Sequence, residues 1–322
     1  MTIYRWDLDK TYLETDFHSW RGLYRSATEP AHEKRNVPGS ASLLRALASE
    51  RGAKVVIVSG SPTQLREVLT EKLRLDGVRF DELHLKDNLG NLKRGRFRAI
   101  KGQFGYKLPL LLQGRVGLGS GNREMLFGDD AEVDALVYSV FADVVAGRLR
   151  AAELSRIMEA AGAYPDAIST ALATLPQIAT GDVVDRIFIH LDRGMPPAHF
   201  AELGGRVVPV YSWFQAALVL VEAGRLTPQS ALTVGEELLK ARALTVTALA
   251  NHVQDLLRRR LVSPSIGPRL EAAADEALAD LAASCAVRAA WLGPIEGVAP
   301  PLRPAHIDYL SLLGRFGKKE EG

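Results

Sequence analysis

Two aspartates follow the first apolar stretch of the chain at a spacing of two residues. They are Asp7 and Asp9 in the sequence IYRWDLDKTYLETDF, residues 3–17. Carboxylates this close repel each other unless a cation, a partner or a proton offsets their charge. An ionised aspartate can attack phosphorus, move a proton or bind a hard cation through oxygen. Taken alone, the pair is also typical of a solvated turn after a strand.

Two further groups of polar residues follow apolar runs later in the chain. Ser59 and Gly60 come after VVIV, and Asp129, Asp130 and Asp134 come after EMLF. Taken alone, Ser59 is typical of a helix cap and Gly-Asp-Asp of a turn. In an open α/β sheet, however, the ligand crevice lies at the carboxyl ends of the strands. If the apolar runs are parallel strands, these groups line one crevice.

Strand and helix patterns alternate along most of the chain. Residues 2–6 and the β-branched run 55–58 are predicted strands, as are EMLFGDD, RIFIHLD and RVVPVYS. Helical patterns occur in ASLLRALASER, in PTQLREVLTEKL with Pro62 in its first turn, and in WFQAALVLVEAG. This alternation predicts an α/β fold with a doubly wound, Rossmann-like parallel sheet.

Helical sequence interrupts this alternation twice. We predict a domain at residues 1–226 with a helical insertion at about residues 142–180, and a helical C-terminal region at residues 227–322. The proline-rich and then charged tail of that region is expected to be loosely held.

The composition is that of an ordinary globular protein. The 322 residues are 47% hydrophobic and 24% charged, with a formal net charge of +2, so neither disorder nor a general attraction to nucleic acid is predicted. The start MTIYRWDLDK lacks an apolar signal core, and no apolar run is long enough for a bilayer, which predicts a cytoplasmic location. The histidines show no close-spaced metal pair, and Cys285 is predicted to be buried.

Taken in order, the strand-end motifs resemble those of the haloacid dehalogenase (HAD) superfamily of phosphohydrolases. The four motifs correspond to DLDKT, VIVSGS, Lys107 and GDDAEVD. More narrowly, VSGSPTQL, YKLPLLL and FGDDAEVDALVY resemble the catalytic domain of the actin-patch-associated phosphatidate phosphatases, over roughly residues 1–225. Lys10 is a departure, because small residues are common at that position in the superfamily.

The resemblance implies a phosphomonoester hydrolase that forms an aspartyl-phosphate. Asp7 would be the nucleophile, and Asp9 the general acid and then the general base. Phosphate-binding residues implied by the motifs are Thr11, which would also hold the motif turn, Ser59, Gly60 and Lys107. The implied cofactor is Mg²⁺, which would separate the anionic nucleophile from the phosphate. Its implied ligands are Asp7, the backbone carbonyl of Asp9, Asp129 and Asp134, with Asp130 an open alternative to Asp134.

The sequence predicts the substrate less closely than it predicts the reaction. The irregular segments 12–40 and 76–106 are predicted to form the rim of the crevice and are too short for a large capping domain. An open site favours a bulky phosphorylated substrate, for which the family suggests phosphatidate. The cluster LKRGRFRAIKG, residues 92–102, predicts either contact with a membrane surface or a solvated hairpin. His18 would contact substrate or, as we prefer, have a structural role.

The alternative function is a catalytically silent phosphate-binding or scaffold protein whose helical C-terminal region binds a partner. The presence of Asp9 argues against it, because a silent relative could lose its acid/base residue and keep its fold. The substrate, the oligomeric state and the role of the C-terminal region are not predicted.

Two lysines compete for the role of the cation that meets the phosphate. Lys107 opens the apolar stretch KLPLLLQG, which would begin a helix with Pro109 in its first turn, whereas Lys101 lies beside a glycine. A rigidly held charge needs no reorganisation during the reaction, so we assign the role to Lys107.

We therefore expect Lys107→Ala to lower the single-turnover rate of the chemical step by roughly a hundredfold or more, and Lys101→Ala to change it by less than about threefold. A large loss in the Lys101 variant alone would transfer the role to that residue.

Overall fold

The fold is built on one parallel sheet of six strands. The computed structural model describes residues 1–15, 29–86, 99–131, 133–290 and 301–316, and for residues 99–102 it describes the backbone alone. The strands are β1 Thr2–Asp7, β2 Ala53–Pro62, β3 Glu82–Lys86, β4 Arg123–Asp129, β5 Val184–His190 and β6 Val207–Val210. Their order is β3-β2-β1-β4-β5-β6, and every neighbouring pair is parallel. The predicted α/β fold class is confirmed.

Helices cover both faces of the sheet. They are α1 Ser40–Ala48, α2 Arg66–Leu75, α3 Ala99–Gln113, α4 Asp134–Val145, α5 Ala151–Ala160, α6 Pro165–Thr174, α7 Trp213–Glu222, α8 Pro228–Lys240, α9 Val246–Arg258, α10 Ile266–Ala273, α11 Ala279–Ala290 and α12 Tyr309–Phe316. Helices α5 and α6 lie within the predicted helical insertion, and α8 to α11 within the predicted C-terminal region. Across the described residues, no helix combines the length and the apolar character that crossing a bilayer requires.

Strand β1 lies at the centre of the sheet and separates two cores. Its side chains alternate between the two faces, as the pleat of a strand requires. Tyr4 and Trp6 belong to the core shared with α1, α7 and the C-terminal helices. On that face the Trp6 ring stacks on Phe127 at 4.3 Å between centroids, and Phe127 stacks on Phe188 at 5.0 Å. Ile3 lies on the opposite face, where α3 packs.

The prediction that Pro62 lies in the first turn of α2 is wrong. Pro62 is the last residue of β2, with φ −65° and ψ 148°, and a short 3₁₀ turn precedes the start of α2 at Arg66. The strand extends past VVIV because Ser59 and Pro62 still pair with β3, across a shift in register. Proline is tolerated at this end of the strand because its missing N–H removes only one ladder bond.

Helix α3 is longer than the sequence predicted. It begins at Ala99 rather than near Lys107, and Pro109 lies inside it rather than in its first turn. A proline inside a helix removes one backbone hydrogen bond and strains the turn before it. Burial outweighs that cost, because Phe104 and Leu108 are both fully buried on the sheet and hold the helix on either side of Lys107.

The rim segment 76–106 contains a strand that the sequence did not predict. In β3 the buried Leu83 and Leu85 alternate with Glu82, His84 and Lys86. The strand is short and three of its five residues are polar, which is why its pattern resembled an irregular segment. It forms one edge of the sheet.

The C-terminal helices share a core with the sheet. Buried side chains of α8 to α11 join Tyr4 and Trp6 in one apolar cluster. Glu237 of α8 also accepts hydrogen bonds from the backbone N–H of Gly39 and of Ser42, both at 3.0 Å, at the start of α1. These contacts join residues on both sides of residue 226. The division of the chain into two regions at that residue stays a prediction.

Residues 301–316 of the predicted loose tail contact the rest of the fold. The hydroxyl of Tyr309 donates to Asp143 Oδ2 of α4 at 2.8 Å, and Tyr309 and Leu312 are both buried. Arg303 Nε lies 2.7 Å from Asp182 Oδ2. The apolar positions of α12 pack on α4, so this segment is part of the fold.

Removing the Glu237 carboxylate should destabilise the whole protein. Glu237→Ala leaves two N–H groups at the start of α1 without their acceptor, and we expect a loss of roughly 1–3 kcal/mol in the free energy of unfolding by urea. The control is Glu236→Ala, which removes an ion pair with the exposed Lys240 and should change stability by less than about 0.5 kcal/mol. Equal effects of the two variants would show that the Glu237 contact adds no stability.

Candidate functional site

The site lies at the carboxyl edge of the sheet, where β1, β2 and β4 end side by side. Asp7 is the last residue of β1 and Asp129 the last of β4, and β1 pairs with β4. Asp134 is the first residue of α4, where the positive end of the helix dipole favours a carboxylate. The strand order thus brings together aspartates that are more than a hundred residues apart in sequence.

Three carboxylates form a buried cluster. Asp7, Asp129 and Asp134 each offer one oxygen, and these oxygens lie within 4.8 Å of one another. All three side chains are at most 1% exposed. A set of hard oxygen donors at this spacing could hold a metal ion of the Mg²⁺ or Ca²⁺ type.

The Lys107 ammonium is buried among these carboxylates. Its Nζ lies 2.8 Å from Asp7 Oδ1 and 2.5 Å from Asp134 Oδ1, and the residue is fully buried. Among the described residues, these three carboxylates and this one ammonium have a summed formal charge of −2 and are closed from water. A divalent cation would balance that charge, so the cluster fits the metal site that the sequence implied.

Thr11 connects the two strand ends. Its hydroxyl lies 3.2 Å from Asp7 Oδ2 and 3.3 Å from Asp129 Oδ2, and it can donate to either. Asp129 also accepts a hydrogen bond from the backbone N–H of Ala131 at 2.6 Å. These donors fix the orientation of two of the three clustered carboxylates.

Asp9 is held by two serines. Its Oδ2 accepts hydrogen bonds from the hydroxyls of Ser59 and Ser61, both at 2.9 Å. Ser61 was not predicted as a site residue, although the repeated serine in SGS was a signal for it. Gly60 lies between them, and a Cβ there would come 3.4 Å from Gln103 Nε2 of α3. The segment 59–61 of the motif VIVSGS therefore faces both Asp9 and α3.

The turn that follows Asp9 has an unusual backbone. Lys10 adopts a left-handed conformation with φ 60°, and its N–H donates to the carbonyl of Leu13 at 2.8 Å. The indole N–H of Trp213 donates to the carbonyl of Thr11 at 3.0 Å. Lys10 Nζ lies 3.4 Å from Asp192 Oδ2, on the loop after β5.

His190, at the end of β5, supports the same turn. Burial lowers the pKa of His190 to about 4, while the charge of Asp192 and a hydrogen bond with the Lys10 backbone act in the opposite direction. The ring is therefore neutral at physiological pH, and it stacks on Trp213 at 5.3 Å between centroids. The sequence analysis did not identify this histidine.

Asp130 faces away from the cluster. It accepts hydrogen bonds from the backbone N–H groups of Arg193 at 2.8 Å and Met195 at 3.1 Å. Burial raises the pKa of Asp130. Of the two carboxylates that the sequence left as alternatives, Asp134 lies in the cluster and Asp130 holds the loop after β5.

Gly128 provides the space for Asp134. A Cβ at Gly128 would lie 2.7 Å from Asp134 Cβ and 2.9 Å from its Cγ. Side chains do not approach this closely, so any larger residue would move Asp134 away from Lys107. The glycine of GDD, which is a residue of β4, is therefore required by packing in this site.

Three predicted features lie wholly or partly outside the described residues. His18 and residues 92–98 of the basic cluster are outside the described residues, and of Lys101 only the backbone is described. Residues 99–102 are helical, so the part of the cluster that is described is not a hairpin.

The fold and the site define a doubly wound α/β protein with an acidic centre and one buried lysine at the carboxyl edge of its sheet. Residues 6–154 match the family model described as "Phosphatidate phosphatase APP1, catalytic domain". The family resemblance is thus confirmed over a little under half of the chain, a shorter span than the expected residues 1–225. That span includes every predicted site residue. No curated protein and no solved structure matches the chain.

Adding a methyl group at Gly128 should disrupt the site through packing. We expect Gly128→Ala to lower the free energy of unfolding by roughly 1–3 kcal/mol in urea. Gly121→Ala is the control, because a Cβ at Gly121 would meet nothing within 4 Å; it should change stability by less than about 0.5 kcal/mol. If the two variants were equally stable, Asp134 would not depend on the space at Gly128.

Proposed function

We propose that this chain is a Mg²⁺-dependent phosphomonoester hydrolase of the HAD type that forms an aspartyl-phosphate. The observation that carries the proposal is the buried cluster of three aspartates around Lys107, within residues that match a phosphatase family. This combination supplies a nucleophile, positive charge and cation ligands in one place.

Asp7 is the proposed nucleophile. Its Oδ1 faces Lys107 and its Oδ2 faces Thr11, so the carboxylate is held in a single orientation. A fixed orientation lowers the barrier to in-line attack on phosphorus. The Lys107 ammonium would stabilise the charge that is spread over the phosphoryl oxygens in the transition state.

Asp9 is the proposed general acid and base. It would protonate the leaving oxygen and then take a proton from the water that hydrolyses the aspartyl-phosphate. Hydrogen bonds from Ser59 and Ser61 fix the position of Asp9. The hydroxyl of Ser59 and the backbone N–H of Gly60 are also proposed to contact the phosphate, which would require Ser59 to exchange its partner when substrate binds.

The metal would be held by Asp7, Asp129, Asp134 and the backbone carbonyl of Asp9. When bound, Mg²⁺ would neutralise charge between the nucleophile and the phosphate. The hydroxyl of Thr11 can donate to Asp7 or to Asp129, and the backbone N–H of Ala131 donates to Asp129. Together these donors would hold two of the ligands ready for the ion.

The proposed substrate is bulky, and phosphatidate is the first to test. The family model that matches residues 6–154 bears the name of a phosphatidate phosphatase. An enzyme acting on this lipid would make transient contact with a membrane surface, for which the basic residues 92–102 are candidates.

The experiment that tests the proposal is phosphate release from p-nitrophenyl phosphate with and without Mg²⁺. We expect activity only with the metal, and a loss of roughly a thousandfold or more in Asp7→Asn, which removes the nucleophile's charge. Equal background rates from wild type and variant would overturn the enzyme proposal and favour a catalytically silent protein that binds a partner through its C-terminal helices.

A further inference from the structure

One face of α3 carries three polar side chains toward the site. Tyr106 and Lys107 follow Gln103 by three and four residues. Each of them therefore lies on the same side of the helix as Gln103. Lys107 contacts Asp7, and Gln103 lies next to Gly60. Tyr106 lies between these two neighbours along the helix, and neither the sequence motifs nor the proposed mechanism gives it a role.

Tyr106 packs beside the proposed nucleophile. Its ring contacts the apolar cluster that includes Ile3, Val56 and Val58. Val58 is the residue of β2 that pairs with Asp7 of β1, so the two are adjacent at the ends of their strands. Tyr106 therefore packs on the face of the sheet that carries Ile3 and Asp7, and the charge of Asp7 acts on its hydroxyl.

The hydroxyl of Tyr106 is buried and has no hydrogen-bond partner among the described residues. A buried donor without an acceptor destabilises a fold, so such groups are rare. They are found where a ligand supplies the missing partner. Phenylalanine would fill the same volume without this cost.

Charges around the hydroxyl favour an anionic partner. Lys107 and Arg66 lower the pKa of Tyr106 and Asp7 raises it, so all three act on the hydroxyl electrostatically. The ammonium of Lys86 lies 5.9 Å from the centre of the ring. Burial is the largest influence and raises the pKa, which keeps the hydroxyl protonated and able to donate.

We propose that the Tyr106 hydroxyl donates a hydrogen bond to a nonbridging phosphoryl oxygen of the substrate. The inference rests on the proposed function, because the anion is the phosphate that Asp7 attacks. It adds a phosphate-binding residue on α3, one position before Lys107. The helix would then contact the phosphate through an ammonium and a neutral hydroxyl.

The test compares Tyr106→Phe with wild type in two measurements. The first is the affinity for inorganic phosphate in the presence of Mg²⁺, by isothermal titration; we expect it to weaken about tenfold or more, as for the loss of a hydrogen bond to a charged group. The second is the thermal midpoint without phosphate, which should equal or exceed that of wild type because an unsatisfied donor is removed.

Tyr138→Phe is the matched control. Tyr138 is fully buried on α4, and its hydroxyl already donates to the carbonyl of Phe127 at 3.4 Å. We expect this variant to bind phosphate within about twofold of wild type and to have a lower midpoint, which is the opposite pattern.

Two results would overturn the inference. One is unchanged phosphate affinity in Tyr106→Phe, and the other is a lowered midpoint, which would show that the hydroxyl has a structural partner in the protein. Failure of the proposed function can be distinguished from failure of this inference, because phosphate binding is measured without turnover. A wild type that binds phosphate but releases none from p-nitrophenyl phosphate would remove the enzyme proposal and leave Tyr106 as a phosphate contact.

Discussion

The ion pairs of Lys107 with Asp7 and Asp134 are the contacts on which the site depends. Burying three carboxylates costs free energy unless opposite charges and hydrogen bonds offset it. Lys107 supplies one positive charge at 2.8 Å and 2.5 Å from two of them, and a cation held by the three carboxylates would offset more of their charge. The surrounding elements bring these charged groups together. Neighbouring strands β1 and β4 bring Asp7 and Asp129 together, and the buried apolar side of α3 holds the lysine in place.

A second layer of contacts holds the turn that carries the acidic residues. Trp213 donates to the carbonyl of Thr11, and His190 contacts the backbone of Lys10 in its left-handed conformation. Both aromatic side chains come from the far half of the chain, outside the span that matches the phosphatase family. Helix α8 then packs on α7 and binds the start of α1 through Glu237. The C-terminal helices are thus connected to the site through α7, which gives this region a structural role whatever partner it has.

The sequence was sufficient for the parts of the fold that have strong local patterns. The continuous apolar runs predicted the central strands, and the polar residues after them predicted which side chains would meet at the sheet edge. Patterns that tertiary packing overrides were not predictable: α3 extends through Pro109 because Phe104 and Leu108 are buried, and β3 is a strand although most of its residues are polar. Ser61 and His190 were missed for a related reason, since their partners, Asp9 and the Lys10 backbone, are distant in sequence.

The central claim is that the aspartate cluster is a cation site balanced in part by Lys107. The most direct measurement is the thermal midpoint with and without millimolar Mg²⁺, for the wild type, for Asp129→Ala, and for Asp130→Ala as the neighbour that faces away from the cluster. Binding to the native state alone raises the midpoint. We expect the wild type and Asp130→Ala to be stabilised by Mg²⁺ and Asp129→Ala to lose most of that response. An equal gain in wild type and Asp129→Ala would contradict the account, because Asp129 would then not be a ligand.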